Sequence, residues 1–262
     1  MCVIMDLVWA FIYILTFALL VGLIYFTVGK FPVPLPESKD SKRDILLVLI
    51  LWGIAAAVSA LKSTWITPLI NQIFSDKTLH ELMMVPVAVV FFIGIPYVLV
   101  IKPGQWSIKD QGLTLKVQSR GVAILAIILG FVTGSVAFIN NQAVIGIDPL
   151  PWGVLFILLF TNSFVEEFYH RGVIQSLLER AVGQKSSVFI GGVLFGLTHV
   201  VFDIVNLFGS GGILAVISAL LLQTMGGWLV GIIYLKTRSI FPGMIFHYLI
   251  NWLPSILLII IK

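Results

Sequence analysis

Hydrophobic positions along this chain come in long continuous runs broken by short polar stretches. They neither alternate every second residue nor recur as one helical stripe. A helix needs about 20 mostly apolar residues to cross a bilayer. Eight runs are of that order, at about 4–26, 45–62, 82–101, 121–138, 151–177, 187–205, 212–235 and 240–261. The pattern predicts an all-α polytopic membrane protein with about eight transmembrane helices. The first run is read as a true span and not a signal peptide: Asp6 is the only charge before Lys30, so a basic leader is missing. The connector at 29–44 is rich in Pro and charge and reads as an exposed loop. The polar stretch at 102–120 is expected to hold a short interfacial helix or turn. The stretch at 63–81 is expected to be interfacial or to extend a neighbouring helix.

Composition agrees. Hydrophobic residues make up 59% of the 262, and only 11% are charged, against roughly 25% in a soluble domain. Mean hydropathy is +1.09. No water-soluble fold of this length hides so much apolar surface, so the lipid bilayer is the main partner. The net charge of +4 is read as loop charge that sets orientation, and no nucleic-acid partner is expected. The single cysteine, Cys2, has no partner for an internal disulfide and no signal sequence ahead of it. Residues 1–150 read as N-terminal transmembrane helices with loops, and 151–262 as a catalytic core, in one integrated membrane domain.

The basic residues divide unevenly. Counting Arg171 with the loop its helix runs into, the connections after spans 1, 3, 5 and 7 hold 13 of the 16 Lys and Arg; the alternate connections hold Lys62 and Lys77, and Lys262 is terminal. Basic loops stay in the cytoplasm. That side is therefore assigned to the first set, with both termini on the other and the chain in the cell membrane.

Some polar residues stand where an apolar span should continue. Span 5 carries Glu166, Glu167, His170 and Arg171; span 6 carries His199; span 8 carries His247 and Asn251. An ionised group at the bilayer centre costs about 2.5–3.5 kcal/mol even on the lenient insertion scale. At 1.5 Å per residue, Glu166, His199 and His247 lie roughly 13–21 Å from the same basic face. Three helices can thus bring them to one intramembrane cavity, and that depth predicts a site open to the cytoplasm.

Helical spacing sorts them. Neighbours diverge by about 100°, so Glu166 and Glu167 do not share one job. Glu167 stands four residues before Arg171, the favourable ion-pair order, and reads as structural. Glu166 has His170 at four, or else faces the cavity. His247 and Asn251 are also four apart. A carboxylate and a histidine can activate a water; a second histidine and an amide can donate to an oxyanion. Ser163 and Thr198 lie close by, but no hydroxyl is paired with a base. No cofactor is required. Glu166, His199 and His247 as a zinc site is the alternative, although no compact HExxH motif is present. Two non-hydrolytic readings stay open: a non-catalytic immunity or scaffold protein, and a proton-coupled transporter using the paired carboxylates. Duplicated halves, the mark of many transporters, are absent from the sequence. His80 and His170 are read as structural or exposed, Asp148 as solvated, and Asp203 as lying at the far end of span 6. Gly191, Gly192, Gly226, Gly227 and Gly231 are read as close-packing positions.

The run Glu166-Glu167-Phe168-Tyr169-His170-Arg171 resembles the E-E-x-x-x-R motif of the CAAX protease and bacteriocin-processing (CPBP, or Abi) family, which includes the type II CAAX prenyl endopeptidases. Phe195 to His199 resembles its F-x-x-x-H motif, and His247 to Asn251 its H-x-x-x-N motif. The resemblance covers about 155–255. It implies eight helices around a conical cavity and an intramembrane endopeptidase acting on a membrane-associated or prenylated peptide or protein. By the same resemblance Glu166 and His199 activate the water, Glu167 and Arg171 support and orient, and His247 and Asn251 form the oxyanion hole. Members of that family are often labelled metalloproteases, and the family also has a metal-independent, glutamate-based mechanism; the latter is preferred here, since a lone glutamate base needs no further ligands.

Overall fold

The computed structural model describes residues 15–16, 18–26, 31–74, 76–144 and 150–261. Cys2, Asp6, Lys30, Asp148, Lys262 and most of the first expected span lie outside the described residues. Within them the chain is almost wholly helical, with no strands. After a helical stretch at 18–26 come α1 (Ser41–Ile73), α2 (Lys77–Gly104), α3 (Arg120–Val144), α4 (152–182), α5 (Gln184–Thr198), α6 (Val200–Gly209), α7 (Gly211–Thr237) and α8 (Phe241–Ile261).

Five of these are long and apolar enough to cross a membrane: α1, α2, most of α3, α7 and α8. The pair α5 and α6, bent by 47° at His199, makes a sixth if counted as one span. The expected eight are therefore not all present as apolar spans among the described residues. α4, the fifth expected span, fails on composition: Asn162, Glu166, Glu167 and Arg171 interrupt it. It is also the innermost helix, buried without a break from Glu167 to Glu179. A helix surrounded by protein does not need a lipid-compatible surface. The stretch after residue 62 extends α1 to Ile73, and Asp76 then caps α2 by accepting from Thr78 N and Leu79 N. Lys62 thus sits inside a helix rather than at its end.

All connections expected on the basic side do gather at one end of the bundle. Ser38 N donates to Arg180 O, Gln118 N to Thr237 O and Ile240 N to Gly112 O. Ser239 Oγ donates to Thr114 O. Arg238 ends α7 in a left-handed conformation, φ 54°, held by two bonds of 2.6 Å to the buried Glu179 carboxylate and one to Val33 O. Leu35 N adds a third donor to Glu179. Lys236 is buried and caps the 18–26 helix, donating to Ile24 O and Tyr25 O at 2.6 and 2.9 Å. Of the described Lys and Arg, only Lys62, Lys77 and the buried Arg171 lie away from this end.

The 102–119 stretch holds the short turn expected of it, one turn of tight helix at Ile108–Gln111, fixed by a reciprocal Ser107–Asp110 capping box. The loop then folds over α4. A Cβ on Gly172 would stand 2.7 Å from Gln111 O, so only glycine fits below it. The opposite end holds the 74–76 connection, the contact of Thr78 with Gly153, and the reversal at Gly212. α5 and α7 pack antiparallel and touch backbone to backbone: a Cβ on Gly227 would lie 2.9 Å from Gly192 Cα. Small residues permit this approach. Gly191, expected to do the same, meets only an ordinary contact with Leu178.

Candidate active site

α4 carries the two glutamates between stretches of wide π turns, Leu159–Phe164 and Phe168–Gln175. Such turns recur at functional sites. They leave Glu167 pointing into the bundle and Glu166 lining a cavity of about 790 Å³. His199 stands at the α5–α6 bend with φ −94° and ψ −6°, outside the regular helical ladder. His247 and Asn251 share one face of α8. All six expected site residues line the same cavity.

The two carboxylates have different company. Glu167 is fully buried. Its Oε1 lies 2.9 Å from His247 Nδ1, and its Oε2 lies 3.2 Å from Arg171 Nε. Arg171 donates to Gly227 O at 3.3 Å and lies over the Phe195 ring, 4.4 Å from its centroid. A carboxylate accepts only, so His247 Nδ1 is the donor to Glu167.

Glu166 is half-buried. Its Oε1 accepts from Asn162 Nδ2 at 2.7 Å, and its Oε2 lies 4.0 Å from His199 Nε2. His199 Nδ1 is 2.9 Å from Phe195 O. A carbonyl only accepts, so Nδ1 carries the proton, and in the neutral ring Nε2 presents a bare lone pair to Glu166. Two acceptors 4.0 Å apart cannot bond directly. One water between them, about 2.8 Å from each, can donate to both.

Asn162 is the residue that the sequence reading missed. Its Oδ1 accepts from Asn251 Nδ2 at 3.3 Å and from Trp252 Nε1 at 3.2 Å, while its amide holds Glu166. It thereby ties α8 to the Glu166 carboxylate. The available signal was an asparagine inside an apolar run, four residues before Glu166. His170 is not a partner of Glu166. It is buried, edge-on to Tyr169 and Phe195. Thr198 bonds Leu194 O within its own helix, and Ser163 Oγ is buried without a partner. Asp203 is not at the end of its span but buried one turn beyond His199, accepting from Gln223 Nε2 at 3.1 Å.

Of the alternative zinc set, Glu166 and His199 face each other, and His247 turns its Nδ1 to Glu167. Among the described residues, His, Cys, Asp and Glu form no group of three arranged to hold a metal.

Residues 148–253 match the family model described as type II CAAX prenyl endopeptidase, Rce1-like, and so carry an Rce1-like domain. All three motifs fall inside that stretch. No curated protein and no solved structure matches the chain.

Proposed function

We propose that this chain, with its Rce1-like domain, is an intramembrane endopeptidase of the cell membrane that hydrolyses a peptide bond of a membrane-associated or prenylated peptide. The observation that carries the reading is the 4.0 Å gap between Glu166 Oε2 and His199 Nε2, two acceptors walled into one cavity. A water held there donates one O–H to each and leaves its lone pairs free for a carbonyl carbon. As its oxygen attacks, a water proton passes to Glu166. The C–N bond then breaks, and Glu166 returns that proton to the leaving amine.

The carbonyl oxygen becomes an oxyanion and needs donors. Asn251 Nδ2 has one N–H on Asn162 and one free. His247 Nδ1 already donates to Glu167, so Nε2 donates only from the imidazolium form, for which Glu167 is the counter-ion. Arg171 shares that carboxylate and holds its rotamer. Glu167 and Arg171 therefore act through His247 and are positioning residues. Chemistry of this kind needs no metal. The N-terminal part belongs to the same integrated domain: Ser59, Lys62, Glu81 and Thr133 wall the cavity that α4, α5 and α8 equip.

The test is cleavage of a quenched fluorescent peptide panel, prenylated and unprenylated, by purified wild type and Glu166→Ala, with and without a zinc chelator. The expected result is cleavage that survives the chelator and vanishes in the variant. Full activity in Glu166→Ala defeats the mechanism, and loss in the chelator defeats its metal independence.

A further inference from the structure

We infer that Asp203 is a positioning residue for His199, and that it acts by tying the helix after the bend to α7 through Gln223. The role of His199 in this inference rests on the peptidase reading; the tie itself does not.

α6 starts directly after His199 and has little else to hold it. Its Ile204, Val205 and Phe208 are each about half exposed. Among the described residues of α6, Asp203 alone is fully buried. Its backbone N donates to His199 O at 2.9 Å, and its Oδ1 accepts from Gln223 Nε2 at 3.1 Å. One residue thus closes the first turn of α6 on His199 and fastens that turn to α7. α7 is itself seated on α5 through the close approach of Gly227 to Gly192. The direction of α6, and with it the 47° bend at His199, is therefore set by the bond between Asp203 and Gln223.

A polar pair is a costly way to fasten these helices. Asp203 Oδ2 and Gln223 Oε1 are both buried without a hydrogen-bond partner among the described residues. Buried acceptors left without donors are destabilising, and apolar side chains would pack there without that cost. Such departures are expected at functional sites. This one lies one turn from His199, and Gln223 belongs to the wall of the same cavity.

His199 is held from two sides. Phe195 O on α5 fixes the ring through Nδ1 at 2.9 Å, and Asp203 fixes the main chain from α6. Both are needed to keep Nε2 at 4.0 Å from Glu166 Oε2, the gap that one water spans. A misplacement of about 1 Å can cost on the order of a hundredfold in rate, so a bend left free to vary spoils the gap without emptying the cavity.

Four variants of the full chain test the tie. Asp203→Leu and Gln223→Leu remove it from either side. Asp203→Asn keeps an acceptor for Gln223 Nε2 and adds a donor for Gln223 Oε1. Gln223→Glu sets two carboxylates against each other, and adding Asp203→Asn restores a donor and acceptor with the roles exchanged. Each is compared with wild type by steady-state cleavage of the peptide panel, and by amide hydrogen exchange over 198–206 read by mass spectrometry. The expected result for both leucine variants and Gln223→Glu is a kcat lower by roughly ten- to a hundredfold, with KM little changed, and faster exchange. Asp203→Asn, alone or with Gln223→Glu, should recover most of the rate and the protection. Leucine variants with wild-type kcat and exchange overturn the inference. So does an Asp203→Asn as impaired as Asp203→Leu, because the carboxylate itself and not the tie would then be required. The exchange readout needs no catalysis. The expected exchange pattern in a protein that cleaves no peptide therefore counts against the peptidase reading alone.

Discussion

Removing either of two adjacent glutamates should damage this protein in opposite ways. Glu167 has a side chain 1% exposed and serves two partners, Arg171 at 3.2 Å and His247 at 2.9 Å. In Glu167→Ala the Arg171 guanidinium keeps only Gly227 O and the face of Phe195. Breaking a buried pair from one side costs about 3–5 kcal/mol, because a charge stays behind uncompensated. At about 1.4 kcal/mol per decade that is roughly 10²–10⁴ in the folded-to-unfolded ratio. In a chain of this size it is a fall in melting temperature on the order of 10 °C.

Glu166 is 21% exposed and takes one hydrogen bond, from Asn162. Its truncation forfeits about 0.5–1.5 kcal/mol, and losing a carboxylate beside Glu167 relieves repulsion. Glu166→Ala should melt within a few degrees of wild type and be inactive. Glu167→Ala should melt far lower, and Glu167→Gln, which keeps an acceptor for His247 but not the charge, between the two. The assay is thermal unfolding in detergent followed by tryptophan fluorescence, beside peptide cleavage on the same preparations. Equal melting losses for the two alanine variants would refute the division of labour drawn from the geometry.

Asn162→Ala should lower kcat by about tenfold or more with little change in KM, since it frees the Glu166 carboxylate and Asn251 while leaving the cavity walls in place; steady-state kinetics decide. Arg238→Ala strips the buried Glu179 of its two 2.6 Å bonds and should cost about 3–5 kcal/mol, read as a lower melting temperature. Gly172→Ala should push the 102–119 loop off α4 at a cost of about 1–3 kcal/mol, visible as faster proteolysis of that loop.

Much of this was legible in one dimension. Ion-pair spacing found Glu167–Arg171, and basic-residue counting grouped the connections that the hydrogen bonds later knit together. Convergence of Glu166, His199 and His247 followed from equal depth on three runs. Periodicity was blind to surroundings, however. α4 looks like another lipid-facing span until it is seen wrapped by its neighbours, which is why its polar residues are tolerated and why apolarity alone does not count it. Asn162 was hidden because an amide in an apolar run is ordinary helix glue; only the fold shows it touching Glu166, Asn251 and Trp252 together. Where the 102–119 loop lands was hidden too, since its local sequence shows a turn but not that Gln111 O rests against Gly172.

Two glutamate–histidine couples stand side by side, and their difference lies in donor and acceptor arithmetic. His247 points its N–H at Glu167, so the couple closes at 2.9 Å and can leave a proton on the far nitrogen for an oxyanion. His199 spends its N–H on the Phe195 carbonyl, made available by the break in the helix at that residue, so the nitrogen facing Glu166 is bare and the couple stays open at 4.0 Å. One couple can thus present a donor and the other presents two acceptors, the pairing that the proposed hydrolysis would use on opposite sides of the reacting carbonyl. Adjacent positions on one helix point their side chains about 100° apart. That angle is enough to send one carboxylate to each histidine, and hence to place both halves of the proposed chemistry on a single Glu-Glu step.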